Sequence, residues 1–431
     1  LELLEPGAGA RILLLQRADV GRGDAQQDGL HDGAYEGDAD GDGDLDLYVA
    51  SGSNESSTTS ENLLDRLYFN DGRGRFERSA QRLPTSRKES TGCVEAGDYD
   101  GDGDMDLFVG IRLRPFLYGV PMNGYLLEND GEGNFRNRSA TLAPEFRDLG
   151  MITDAAWFDW DGDDQLDLMV VGEYMPLTIF RQEGGQFSRA TGVGLDSTEG
   201  FWNVIKAADL DGDGDMDFVA GNHGLNSRFQ ASRQQPVCMY INDFDQNGMV
   251  EQIICTYNGD DSYPLVLRHD LVMQMPELKK KYLKYESYQE QTVTDIFSPQ
   301  QMERAITLNA YELASVIVWN EGNGRFRTER LPKAAQYAPI YALSITDVDQ
   351  DGRLDILAGG NQYRAKPEVG IYDASFGLWL KGEAAGGFAA MPARESKLRV
   401  RGEMRDIVPL QVEGETLYLM AMNNDKIRIF S

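Results

Sequence analysis

Short apolar runs of alternating or continuous character punctuate this chain, and five of them follow the same polar prelude. LDLYVA, MDLFVG, LDLMVV, MDFVAG and LDILAG each come directly after a stretch of aspartate and glycine. Runs of this length, bounded by turn residues, read as strands that are buried on both faces. A second set of runs closes on Asn, Gly and Phe: YFNDGRGRF from Tyr68, LLENDGEGNF from Leu126 and VWNEGNGRF from Val318, with looser copies from Ile179 and Leu378. Gly and Asn accept the positive φ of tight hairpin turns, so each of these predicts two antiparallel strands. Helical spacing occurs in one place, Leu271, Met275, Leu278, Tyr282 and Tyr285, followed by a fresh helix start at Ser298-Pro299 with Gln301 three residues after the cap. The expectation is two or three helices inserted over residues 268–305. A final strand set, IVPLQV, TLYLMAM and KIRIF, lies between Arg405 and Phe430.

The polar preludes align as Asp-x-Asp-Gly-Asp-Gly-x-x-Asp. Copies start at Asp38, Asp98, Asp159, Asp209 and Asp347, with a divergent one at Asp243, at intervals of 60, 61, 50, 34 and 104 residues. Repeats of about 40–60 residues made of strands and hairpins predict an all-β protein, a β-propeller whose blades bury sheet faces against one another and close into a toroid. Counting loops and the last strand set gives seven blades. The 34-residue interval is too short for a four-stranded blade, which places the Asp243 copy on a second hairpin of its neighbour; the helical insertion accounts for the 104-residue interval. Residues 32–431 form the propeller, and residues 1–31 either complete the last blade or lead to a further domain.

Five carboxylates within nine residues repel one another unless a cation sits among them. Positions one, three and five turn side chains inward, position seven offers a backbone carbonyl and position nine closes the shell. The candidate ligands are therefore Asp38, Asp40, Asp42, Asp44 and Asp46; Asp98, Asp100, Asp102, Asp104 and Asp106; Asp159, Asp161, Asp163, Gln165 and Asp167; Asp209, Asp211, Asp213, Asp215 and Asp217; Asp243, Asp245, Asn247, Met249 and Glu251; and Asp347, Asp349, Asp351, Arg353 and Asp355. An all-oxygen cage of about six or seven ligands suits Ca²⁺, not Zn²⁺ or Cu²⁺, which prefer imidazole and thiolate. The closing acid at position nine, followed by a strand, separates these loops from an EF-hand and points to a structural ion. About six Ca²⁺ are expected.

Composition narrows the rest. The 431 residues carry 71 acidic against 41 basic side chains, a formal charge of −30, and 27 of the acids lie in the six loops. Such a field repels phosphate backbones and anionic lipid, which argues against nucleic acid as a partner. No apolar run is long enough to cross a bilayer as a helix. Leu1 to Ala10 lacks the features of a signal peptide and the chain starts without Met, so it reads as a processed segment with any export signal upstream. Cys93, Cys238 and Cys255 read as buried free thiols, although Cys238 and Cys255 flank one turn and could pair across a hairpin.

The loops, together with GNHGLNSRF (Gly221 to Phe229), NDFDQNGMVEQII, YPLVLRHDLVMQMPELKKKY and IYDASFGLWL, resemble the FG-GAP/VCBS-repeat proteins of Bacteroidota type, relatives of the cartilage-acidic-protein and ASPIC/UnbV group. The likeness runs from about Asp32 to Phe388, and the aspartate loops alone are similar to those of integrin α-subunit propellers. The resemblance implies an extracellular or cell-surface Ca²⁺-bound propeller with no catalytic residues to transfer.

No nucleophile or acid–base motif stands out. His223 and Arg228, and Arg268 with His269, are the pairs that would serve an enzyme such as a Ca²⁺-dependent polysaccharide lyase; as structural residues they would hydrogen-bond loops. Lys279, Lys280, Lys281 and Lys284 among Tyr282, Tyr285 and Tyr288 form a basic patch that would dock an acidic partner or a second copy, or be a solvated helix face. The leading expectation is a non-catalytic scaffold binding a protein, a glycan or itself, up to filaments.

Overall fold

The computed structural model describes residues 11–15, 38–52, 57–365, 370–384 and 386–431. They form seven antiparallel sheets of three to five strands. Sheet I holds Arg11–Leu15, Asp46–Ala50, Arg66–Asn70 and Phe76–Arg78; sheet II holds Ser90–Gly97, Asp106–Leu113, Gly124–Glu128 and Arg136–Asn137. Sheet III is built from Met151–Phe158, Asp167–Met175, Thr178–Glu183 and Gln186–Arg189, with Gly200–Phe201 on its edge. Sheet IV pairs Val204–Ala208, Asp217–Gly221, Val316–Asn320 and Phe326–Arg330. Sheet V contains Val237–Asn242, Glu251–Asn258, Asp261–Pro264 and Ile306–Ala310. Sheet VI runs through Ile340–Thr346, Asp355–Gly360, Leu378–Gly382 and Phe388–Ala390, and sheet VII through Met404–Val412, Glu415–Met422 and Arg428–Phe430.

The chain is all-β, as the strand pattern predicts, but the seven sheets do not follow one another in sequence. Sheet V is nested inside sheet IV: Asp217–Gly221 pairs directly with Val316–Asn320, and everything between them is insertion. The Asp243 loop is therefore neither on a second hairpin of its neighbour nor in a shortened blade. It heads a four-stranded sheet of its own, and the long interval before Asp347 holds the remainder of sheet V and the second half of sheet IV. The strand Arg11–Leu15 pairs with Asp46–Ala50 and gives sheet I, not the last sheet, its fourth strand. The rest of residues 1–31 lies outside the described residues.

Apolar cores join the sheets in a series. Tyr48 and Leu67 of sheet I pack with Val94, Leu107 and Val109 of sheet II. Phe108 and Leu126 meet Ile152, Leu168 and Phe180 of sheet III, and Met169 and Val171 meet Phe218 and Val318 of sheet IV. Val219 and Ile317 then meet Leu343 and Ile356 of sheet VI, and Leu357 meets Met404 and Met420 of sheet VII. Burying both faces of each inner strand explains why these runs are continuously apolar. Sheet V stands apart, its Val237, Met239 and Ile241 packing on Met151 and Tyr174 at the edge of sheet III.

The segment 268–305 lies on sheet V. Leu271, Met275 and Tyr282 are buried against Cys238, Phe244 and Cys255, whereas Tyr285 is exposed. Pro276 ends the helix Arg268–Gln274 and the chain continues in short turns, so the regular spacing does not carry through to Tyr285. The helix Pro299–Glu303 begins with the expected capping box at Ser298. Cys238 and Cys255 stand directly opposite each other, and all three cysteines are buried free thiols.

Candidate metal centres

Each aspartate loop leads into the second strand of its sheet in chain order, and in sheets II to VI it is the whole connection from the first. The curl is made by the first aspartate. Asp98 Oδ1 accepts the backbone N–H groups of Gly101 and Asp102, at 2.8 and 3.1 Å, and Oδ2 that of Gly103 at 3.0 Å. Asp209 and Asp347 hold their loops in the same way. Position four has positive φ in every loop, as in Gly101 at 75°, and Gln246 and Gln350 adopt 60° where glycine is absent. Asp164, which replaces glycine at position six, takes φ 63°. Six sequences thus reach one backbone shape. The fifth position closes the curl, as Asp102 Oδ1 accepts the N–H of Asp104 at 3.0 Å and Asn247 Oδ1 that of Met249 at 2.7 Å.

The structure gathers positions one, three and nine. Carboxylate oxygens of Asp98, Asp100 and Asp106 lie within 4.8 Å of one another, as do those of Asp159, Asp161 and Asp167, of Asp209, Asp211 and Asp217, and of Asp243, Asp245 and Glu251; in the first loop the group is Asp38, Asp40 and Asp42. The donor set is oxygen throughout. Asp40 Oδ1 is buried with no hydrogen-bond partner, a lone pair aimed where a cation would sit. Burial, followed by mutual repulsion, raises the carboxyls of Asp40 and Asp100. Burial also pushes Asp46 and Asp167 up to about 6, Asp217 to about 7 and Asp106 to about 8. Burial and crowding make the bare charged forms costly, and a divalent ion would offset that cost. These residues fit Ca²⁺, which would supply charge neutralisation and a fixed loop shape.

The ninth residue does more than close a shell. Asp106 Oδ2 accepts the N–H of Tyr99 within its own loop, at 3.3 Å, while Oδ1 accepts that of Asn129 in the turn between the third and fourth strands, at 2.8 Å. Asp46 joins Ala39 to Asn70, Asp167 joins Trp160 to Gln182, Asp217 joins Leu210 to Asn320, and Asp355 joins Val348 to Gly382. The two sequence signatures, the aspartate loop and the Asn-Gly turn, are one device. Sequence reasoning missed it because the donors are backbone groups.

The other nominated residues are enclosed or paired. His223 is buried among Phe201, Phe229 and Tyr372, with ring centroids 4.8 to 5.8 Å away, and burial pushes it down to about 4. Arg228 is exposed. Arg268 donates to the carbonyls of Tyr282 and Leu283, and His269 contacts Tyr285 Oη and Asp270. Lys281 donates to Asp295 and Ile296 carbonyls, while Lys279, Lys280 and Lys284 are exposed.

At the end of the sheets away from the loops, Arg112 of sheet II makes a two-pronged pair with Glu173 of sheet III, at 2.9 and 3.1 Å. Tyr341 of sheet VI lies under Arg405 of sheet VII, 4.4 Å from guanidinium to ring, and its hydroxyl feels the charges of Glu173 and Arg112. No helix among the described residues is long and apolar enough to cross a membrane.

No curated protein matches the chain. Among solved structures it is similar to the V. cholerae biofilm matrix protein Bap1, at 9% identity over 97% of this chain and 85% of that one, with a TM-score of 0.31. It is also similar to the exotype rhamnogalacturonan lyase YesX, at 14% identity over 100% of this chain and 75% of that one, with a TM-score of 0.33. A family model described as FG-GAP-like repeat matches residues 38–109 and 159–220, which hold the loops starting at Asp38, Asp98, Asp159 and Asp209. Over those residues, with their strands, loops and stapling acids, the chain carries FG-GAP-like repeats.

Proposed function

We propose that this protein is a calcium-stabilised β-propeller that serves as a non-catalytic binding scaffold outside the cell or on its surface. The observation that carries the reading is the stapling acid, which in five of the six loops ties the acidic cluster to a further strand of its sheet and so would couple the ion to the fold. An ion placed this way stiffens a framework. Six sheets in series, I, II, III, IV, VI and VII, make the ring, and sheet V rides on it. The approach of Tyr341 to Glu173 and Arg112 supports a series that curls round, since sheets II and VI are not neighbours in it.

The lyase alternative asked His223 to act on a substrate. Its ring is held neutral and enclosed by aromatic neighbours, which favours a structural role. The exposed Lys279, Lys280 and Lys284, beside exposed Leu283 and Tyr285, suit an acidic protein surface, including that of a second copy.

The test is a thermal melt in excess Ca²⁺ and in excess EGTA, with light scattering on the same samples. The reading expects chelation to lower the midpoint by about 10 °C or more, and identical melts contradict it. Incubation with acidic polysaccharides and detection of unsaturated products would favour the lyase alternative instead.

A further inference from the structure

The stapled turns also bridge neighbouring sheets, and one bridge is open. In sheet II, Asn129 Nδ2 donates to the carbonyl of Ala39, the second residue of the sheet I loop, at 2.9 Å. In sheet III, the equivalent Gln182 Nε2 donates to the carbonyl of Tyr99 in the sheet II loop, also at 2.9 Å. Within sheet V, Gln301 Nε2 of the helical segment donates to the equivalent carbonyl, that of Phe244, at 2.6 Å. Sheet IV has the right residue for the same bond to sheet III. Asn320 begins the turn, its N–H is stapled to Asp217 at 2.7 Å, and Trp160 lines the same cleft.

Among the described residues the Asn320 side-chain amide makes no bond to Trp160. A cleft of about 470 Å³ lies there instead, lined by Trp160, Asp161, Arg181, Asp215, Asn320 and Asn323. Its volume falls within the range of small-ligand sites, about 300–1,000 Å³. The packing half of the bridge is retained: Trp160 sits 5.8 Å from Phe326, as Tyr99 does from Phe187. Yet Tyr99 is buried and Trp160, which lines the cleft, is only half-buried. Asn320, which also lines the cleft, is only 5% exposed, and its Oδ1 accepts the N–H of Gly322 at 3.2 Å.

We infer that this cleft between sheets III and IV binds a neutral oligosaccharide, an assignment that rests on the binding-scaffold reading. An indole surface takes the apolar C–H face of a pyranose. The amides of Asn320 and Asn323 and the carboxylate of Asp215 offer donors and acceptors side by side, the combination that vicinal hydroxyls require. The charge disfavours acidic sugars. The two loops that flank the cleft carry five carboxylates each, so one divalent ion in each leaves both negative, and Arg181, the one cation lining the cleft, is paired with Glu183.

The experiment uses the full chain in millimolar Ca²⁺ with a panel of cello-, laminari-, malto-, manno- and xylo-oligosaccharides and of their uronic and sulfated counterparts. Binding is followed by calorimetry and tryptophan fluorescence. Two variants accompany the wild type: Trp160→Leu, which installs the residue type that sheet IV carries at the same loop position, and Asn323→Gly, which removes a side chain from a backbone at φ 45°. The inference expects a neutral sugar to bind and both variants to weaken it by about tenfold or more while each still melts cooperatively in Ca²⁺. It is overturned if no neutral sugar binds, if only acidic ones do, or if both variants bind like wild type. The Ca²⁺ and EGTA melts of sugar-free wild type separate the two claims: equal melts remove the scaffold reading, whereas a Ca²⁺-dependent melt without sugar binding removes only the cleft's assignment.

Discussion

Asp217 Oδ1 and the backbone N–H of Asn320 are 103 residues apart in sequence and 2.7 Å apart in space. The whole of sheet V and its helices loops out between them, and the carboxylate holds the two halves of sheet IV together across that excursion. The same carboxylate contributes an oxygen to the cluster with Asp209 and Asp211, so folding of the sheet and binding of an ion would share one side chain.

That double duty makes position nine costlier to change than position seven. Asp217→Asn keeps the shape but replaces one acceptor oxygen by a donor amine against backbone N–H groups, and should cost about 2 kcal/mol. Asp215→Asn, whose expected contribution to the ion is a backbone carbonyl, should change stability by about 0.5 kcal/mol or less. Urea unfolding of both variants in Ca²⁺ checks the order; equal costs would remove the stapling role.

Gln301 joins the helical segment to the sheet V loop. Its Oε1 accepts from Ser298 N–H and Oγ, each at 2.8 Å, while its Nε2 donates to Phe244. Gln301→Ala should lose the cap and the bridge together, about 1–2 kcal/mol. Hydrogen exchange should then speed up over residues 293–303 and 243–251, leaving sheets I and II unchanged.

His223 gives acid sensitivity. Burial lowers its folded pKa to about 4 from 6.5, so above pH 6.5 both folded and unfolded chains carry it neutral and its contribution is intact. As pH falls from 6.5 toward 4 the unfolded chain takes up a proton that the folded one refuses, and stability is lost, by about 2 kcal/mol at pH 5. His223→Phe, among neighbouring rings, should flatten that part of the pH profile relative to wild type. Parallel profiles would show that His223 is not the group responsible.

All three thiols are buried. A thiol-reactive chromophore should therefore read none in the folded Ca²⁺-loaded protein and all three in denaturant without reductant. A reading of one in denaturant would instead mean that Cys238 and Cys255 are bridged across their strands.

The loops, the strand runs and the capped helix at Ser298 were legible because each has a local signature in spacing or side-chain type. The nesting of sheet V was not, since nothing in VIVWN says that its partner is DFVAG nearly a hundred residues earlier. Strand pairing is non-local, and the 34-residue interval before Asp243, whose shortness suggests a second hairpin of its neighbour, marks an interruption of sheet IV instead. Likewise the aspartates at position nine announce an ion but not a staple, because backbone donors are the same for every residue. The open bridge at Asn320 became visible only by comparing it with Asn129 and Gln182 in three dimensions.

The central claim is that these loops hold calcium, and the most direct measurement is the number of ions retained per chain by native mass spectrometry after exchange into dilute Ca²⁺. The account expects about six. A chain that retains on the order of one ion or none, while keeping its folded charge-state distribution, would contradict it.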